Sequence, residues 1–71
     1  MCSHVKGVDL FIYRNGAESF QLHVYVDDIY TCTIAHGFSY GAIVDFINLN
    51  SSDLFETYGE FDVVIDPQCF V

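Results

Sequence analysis

Residues 8–34 read VDLFIYRNGAESFQLHVYVDDIYTCTI, and the spacing of their apolar side chains decides what kind of fold the chain can make. Val8, Leu10 and Ile12 alternate with Asp9, Phe11 and Tyr13, the period of two of a strand that lies on a core by one face. Phe20, Leu22, Val24 and Val26 alternate in the same way with Gln21, His23 and Tyr25. Between the runs, Asn15-Gly16 is a strong hairpin signal because both residues tolerate positive φ. Asp27-Asp28 then breaks the pattern ahead of Ile29–Ile34. A three-stranded antiparallel meander follows.

Register decides which side chains are buried, because directly opposed residues share a face. A three-residue loop Arg14-Asn15-Gly16, with Gly16 as a left-handed bulge, puts Val8, Leu10 and Ile12 beside Phe20 and Leu22. The other face then carries Phe11, Tyr13, His23 and Tyr25. If Asp27-Asp28 is a two-residue turn, Tyr30, Cys32 and Ile34 join them. Such a face is too apolar to be simply solvated.

Beyond the meander the period changes. Tyr40, Ile43, Val44 and Ile47 fall at helical spacing, with Gly41, Asp45 and Asn48 on the polar side. This predicts one amphipathic helix, N-capped by Ser39 and ended by Asn50-Ser51-Ser52. Asp53-Leu54-Phe55-Glu56 has capping-box spacing for a short helical turn that Gly59 can terminate. Phe61, Val63 and Ile65 alternate with Asp62, Val64 and Asp66 in a last strand, stopped by Pro67. The expected fold is α+β, in the order β-β-β-α-β, with the helix packed on the sheet.

The chain has 71 residues, room for a single domain over 1–71 that buries only about 60% of its unfolded surface. With 52% hydrophobic and 17% aromatic residues, it is not a disordered acidic tail. Cys2, Cys32 and Cys69 are odd in number and far apart, so they are expected to be reduced thiols rather than a disulfide framework. The start, MCSHVKGVDLFIYRNG, lacks the apolar segment of a signal peptide, and no stretch approaches the ~20 apolar residues of a membrane span. A cytoplasmic location is expected, in the producing cell or a host. Only Phe70 and Val71 follow Cys69, too few for a prenylation box.

Chemistry-bearing patterns are sparse. Cys2-x-His4 and Cys32-x-x-x-His36 have the residue types of a zinc tetrahedron but not its knuckle spacing. Asp53-x-x-Glu56 and Glu60-x-Asp62 lack the alternating oxygen ligands of a calcium loop. No metal or other cofactor is expected. Cys32 would stand beside His23 if the Asp27-Asp28 turn set them opposite, but a nucleophile and base also need an oxyanion hole and a cleft. The expectation is a protein that is not an enzyme. Direct nucleic-acid binding is disfavoured, since only Lys6 and Arg14 could neutralise phosphates.

The sign of the charge points the other way. The net charge is −8, and beyond Arg14 every carboxylate except Asp9 follows with no Lys or Arg among them. A chain of this length has a diameter of roughly 30 Å, and B-DNA of that length carries about 17 phosphate charges. A net −8 gathered on one side would approach the density of the single duplex face that a protein groove sees. The same acids could simply keep an apolar small domain in solution. Aromatic interleaving favours a binding surface: Tyr25 and Tyr30 flank Asp27 and Asp28, and Tyr58 sits between Glu56 and Glu60. Acid plus tyrosine suits an arginine-rich groove.

In length, lack of basic residues, reduced cysteines and aromatic-acid surface, the chain resembles the small inhibitors that phages and mobile elements make against CRISPR effectors and restriction enzymes, several of which mimic DNA. It resembles, less closely, the acidic immunity proteins that neutralise basic nuclease toxins. The likeness covers size and composition, with no motif to carry over. It implies a non-enzymatic inhibitor occupying the basic nucleic-acid-binding surface of a larger protein. Asp27, Asp28, Asp45, Asp53, Glu56, Glu60, Asp62 and Asp66 would stand in for phosphates, with Tyr25, Tyr30 and Tyr58 as anchors. The alternative is a homodimeric structural or regulatory module that buries Phe11, Tyr13, Tyr25 and Ile34 against their symmetry mates.

Overall fold

The computed structural model describes residues 7–70. The two alternating runs are strands β1 (Val8–Arg14) and β2 (Phe20–Val26), and a third strand β3 (Ile29–Gly37) completes the meander. Helices α1 (Tyr40–Leu49) and α2 (Ser51–Tyr58) follow, then β4 (Asp62–Ile65) and a 3-10 turn over Pro67–Phe70. The element order is therefore β-β-β-α-α-β, one helix more than expected. The fold is α+β with a four-stranded mixed sheet in the order β3-β2-β1-β4.

The first hairpin keeps the expected faces but not the expected loop. Arg14 pairs with Phe20, Ile12 with Leu22, Leu10 with Val24 and Val8 with Val26, so the loop runs over residues 15–19, closed by Asn15 N–H donating to Ser19 O at 2.7 Å. Lengthening the loop by two residues preserves parity, and parity alone decides which row is buried. Gly16 lies at φ 145°, a positive angle but not the left-handed bulge value.

The second reversal is a two-residue turn. Asp27 and Asp28 lie at φ 53° and 67°, the doubly left-handed pattern that matches strand twist. Tyr25 faces Tyr30 across it, but Val24 faces Cys32 and Leu22 faces Ala35, with register shifts on either side of the Val24–His23 step. Thr31 and Ile34 are the extra residues. Each such bulge inverts the parity of the strand beyond it, so Cys32 and Ile34 leave the aromatic face and pack against the core.

That core is Val8, Leu10, Ile12, Phe20, Leu22 and Val24 from the sheet, with Ile43 and Leu54 from the helices. Leu10, Leu22 and Val24 have no accessible surface. Ser39 caps α1, its hydroxyl accepting from Ala42 N–H at 3.2 Å. Asn50 ends α1, donating from its side-chain amide to Phe46 O at 2.9 Å, and it also begins α2. The Asp53–Glu56 capping box does not form, because α2 already starts at Ser51 and Asp53 sits in its first turn, where a carboxylate suits the helix dipole. Gly59, at φ 73°, closes α2 by donating its N–H to Phe55 O, a position at which a Cβ would be strained.

The final strand is parallel to its neighbour, with Asp9 facing Asp62, Phe11 facing Val64 and Ile12 facing Ile65. Parallel strands need a long crossover, and the α1–α2 pair spans the sheet from β3 to the far edge of β1. Both helices therefore lie on the even-numbered side of β1 and β2. Among the described residues, no helix covers the odd-numbered side, the bare face of the sheet.

Candidate functional site: an aromatic-acidic sheet face

Strand pairing lays the bare face out in rows. Across β4, β1, β2 and β3 the first row is Asp62, Asp9, Tyr25 and Tyr30, and the second is Val64, Phe11, His23 and Thr33. Tyr13, Gln21 and His36 form a third across β1, β2 and β3. The aromatic side chains touch in a continuous ladder: Tyr13 stacks on His23 at 5.1 Å, and Phe11 meets Tyr25 edge-on at 5.9 Å. Tyr30 stands edge-on to both His23 (5.3 Å) and Tyr25 (5.9 Å). Its hydroxyl shares a 2.9 Å hydrogen bond with Thr33 Oγ1. Burial within the ladder holds the His23 imidazole below its ordinary pKa, and its Nε2 is bonded to Gln21 Oε1 at 2.8 Å.

Acids collect at one end of this face. Asp9 and Asp62 are direct neighbours across the β1–β4 pair, and Asp27 and Asp28 form the turn at the same end. Glu60 lies near the same end, in a cleft with Gly7, Phe61 and Asp62 whose other walls, Val8 and Phe55, belong to the helix-covered side. Asp27 is partly committed to structure, since its Oδ1 accepts from Gly7 N–H at 3.0 Å. Asp28 instead joins Asp9, Phe11, Tyr25 and Val64 around a shallow pocket of about 250 Å³. Asp9 and Asp62 thus set two carboxylates side by side, an arrangement that attracts a cation.

The basic group among the described residues sits at the other end. Arg14 donates through Nε to Gly16 O at 2.8 Å, and through its terminal nitrogens to Gln68 O at 2.9 Å and Ala17 O at 3.2 Å. Its guanidinium also lies over Phe20, 5.6 Å from the ring centre. Its charge holds the first loop to the C-terminal turn. Lys6 lies outside the described residues.

The residues expected to act together do not all meet. Asp27, Asp28, Glu60 and Asp62 share one end with Tyr25 and Tyr30. Asp45, Asp53 and Glu56 are exposed on the helices, which pack on the opposite side of the sheet. Asp66 is only 7% exposed; its Oδ1 accepts from Gln68 N–H at 3.1 Å, so it organises the Pro67–Phe70 turn instead of facing a partner. Tyr58 packs against the core, where burial, together with the Cys32 thiol it hydrogen-bonds, raises its pKa. It is half-buried on the side of the sheet opposite Tyr25 and Tyr30.

Asp9 was not among the expected site residues, although it heads the row of Phe11 and Tyr13. Asp9 precedes Arg14, outside the run of acids that contains no Lys or Arg. Its alternation with an aromatic face was the available signal.

The other groupings of reactive side chains come apart as well. The bulges set His23 opposite Thr33 and Cys32 opposite Val24, so the cysteine and histidine lie on different faces. His36 faces Gln21 on the bare side, away from Cys32, while Cys2 and His4 lie outside the described residues. Cys69 is half-buried against Ile12 O, and burial, reinforced by Asp66 and opposed by Arg14, raises its thiol pKa. Among the described residues, no helix is long and apolar enough to cross a membrane.

No family model, curated protein or solved structure matches this chain.

Proposed function

We propose that this chain is a non-enzymatic inhibitor that lays the acidic end of its bare sheet face on the basic, nucleic-acid-binding surface of a larger protein. The observation that carries the reading is the row Asp62–Asp9–Tyr25–Tyr30 beside the Asp27–Asp28 turn. Carboxylates, a half-buried Tyr25 and an exposed Tyr30 lie together there, far from Arg14. A positive groove would relieve the repulsion among these acids and gain cation–π contact with the rings. The acids of α1 and α2 face away and serve solvation. The surface is thus a compact patch, and not a strip tracing a duplex backbone. The cytoplasm, of the producing cell or a host, is the setting in which such a target and reduced thiols coexist.

The experiment is a pull-down from bacterial lysate containing CRISPR and restriction machinery, followed by activity and DNA-competition assays on the protein recovered. The expected result is a basic nucleic-acid-binding protein whose DNA or RNA displaces the chain. Binding should fall steeply between 0.1 and 0.5 M salt, because the Debye length shrinks from about 10 Å toward the ~3 Å reached at 1 M. Asp9→Lys with Asp28→Lys should abolish capture. Persistence of binding in that double variant, or no competition by nucleic acid, overturns the reading. An acidic immunity protein would behave alike but select a nuclease toxin.

The uncovered ladder of Phe11, Tyr13, His23, Tyr25 and Tyr30 favours a second reading, a homodimer through this face. Ile34 no longer belongs to that surface. Pairing two such faces brings Asp9 and Asp62 of both copies into the interface, an electrostatic cost. Sedimentation equilibrium at micromolar concentration separates the readings: a tight dimer dispersed by Phe11→Ser supports the second.

A further inference from the structure

Resting on that reading of the bare face, we propose that the pocket between the Asp27–Asp28 turn and strand β1 is a receptor for a single arginine side chain of the partner. Its walls come from three strands and a turn. Asp9 and Phe11 stand on β1, Tyr25 on β2 and Val64 on β4, with Asp28 at the turn. Asp9 and Tyr25 are directly opposed, and Phe11 is directly opposed to Val64. Two carboxylates thus stand beside two aromatic rings that meet at 81°, 5.9 Å apart. A third carboxylate, Asp62, is next to Asp9 across the sheet.

This combination matches a guanidinium group better than any other common cation. The group is planar, weakly hydrated and always charged, and it presents donors along more than one edge. Asp9 and Asp28 come from different elements, so a flat fork can meet both at once while its face rests on Tyr25 or Phe11. An ammonium is a strongly hydrated point charge and gains less from the rings. Size argues for one side chain, since about 250 Å³ lies below the ~300–1,000 Å³ of pockets that enclose drug-sized ligands. The opening lies on a sheet face with no helix over it, so the rest of the partner can lie along the aromatic ladder.

The test is a titration of the full, isotopically labelled chain with three short peptides, acetyl-Gly-X-Gly-amide, where X is arginine, lysine or citrulline. Amide and side-chain signals are followed by NMR at low and moderate salt. The arginine peptide should give saturable shifts centred on Asp9, Phe11, Tyr25, Asp28 and Val64. The lysine peptide should bind about three-fold or more weakly, the discrimination that ring contact gives an exposed cation, and citrulline should give no shifts. Tyr25→Leu and Asp28→Asn should each weaken the arginine response while amide dispersion is kept. Asp28 is exposed at a turn, so its variant remains informative if Tyr25→Leu fails to fold.

Equal responses to arginine and lysine, shifts spread over all the acids, or an unchanged response in Asp28→Asn overturn the proposal. Its failure is distinguishable from that of the inhibitor reading. Arginine binding at the pocket without inhibition of a recovered target sinks the inhibitor alone, whereas inhibition that survives both Tyr25→Leu and Asp28→Asn sinks the pocket alone.

Discussion

Asp27 and Asp28 hold left-handed backbone angles that cost an L-residue roughly 1–2 kcal/mol, a cost aspartate lowers where its carboxylate hydrogen-bonds locally. Asp27 recovers some of that cost through Gly7, accepting its N–H at 3.0 Å and donating its own N–H to Gly7 O at 2.7 Å. Asp28 faces the pocket instead. Asp28→Gly is therefore expected to stabilise the fold by up to about 1 kcal/mol, net of the entropy glycine adds to the unfolded chain. Asp27→Gly should gain less, because the Gly7 bond goes with it. Urea unfolding checks this as a higher midpoint at unchanged slope, and a lower midpoint for Asp28→Gly would show the carboxylate to be stabilising. His23 carries the second expectation. Burial lowers its pKa from the ordinary 6.5, so below that pH the unfolded chain takes up the proton first. Stability that is full above pH 6.5 is then lost as pH falls from 6.5 through the lower folded value. Measured from pH 8 to 5, the stability of the native chain relative to His23→Gln should decline in that window. A flat or rising difference contradicts the assignment.

Strand β1 shows how unequal its two faces are. Leu10 has no accessible surface, while its neighbour Phe11 is half-buried on the side without helices. Leu10→Ala should cost ~2–5 kcal/mol, much of the ~5–15 kcal/mol that stabilises a domain. Phe11→Ala, despite losing a larger side chain, should cost less than Leu10→Ala because part of its surface still meets water. Thermal melts of the two variants would order them, and the reverse order would mean that the bare face is covered in solution. Strand β3 is harder to read than β1 or β2. Alternation along Ile29–Ile34 carries no mark of where Thr31 or Ile34 is squeezed out of register. A bulge forms where strand twist and the packing of Cys32, Ile34 and Ala35 against the core outweigh one lost ladder step.

At the scale of the whole molecule, two short helices can cover one side of a four-stranded sheet and no more. Along β1 and β2 the covered side carries Val8, Leu10, Ile12, Phe20, Leu22 and Val24, and the other side carries the rings of Phe11, Tyr13, His23 and Tyr25. Acids gather at one end of the strands, with Asp9, Asp27, Asp28, Glu60 and Asp62, while Arg14 is tied to loop carbonyls at the other, beside Glu18 and Asp66. In a domain of this size, where the core alone gives little surplus stability, an uncovered aromatic face with crowded acids is an unusual expense. Both proposals for its use follow from that imbalance.

The sequence by itself determined the features that depend on near neighbours. The alternation of β1 and β2, the rows that each strand buries, the two-residue Asp27-Asp28 turn and the Ser39 cap are all properties of contiguous residues, where side-chain direction and φ preference act locally. Only the tertiary structure decided the rest, because each remaining feature joins positions far apart in the chain. Pairing β4 beside β1 set Asp62 against Asp9 and Val64 against Phe11, since the α1–α2 crossover returns the chain to the open edge of β1. Packing against the core drew Tyr58 and Cys32 inward. Capping of the last turn took Asp66 out of solvent, and the bulges parted Cys32 from His23. A carboxylate looks the same in a sequence whether it ends up facing a partner, a helix dipole or a backbone amide; the fold assigns the role by choosing which groups lie within a few ångströms of it.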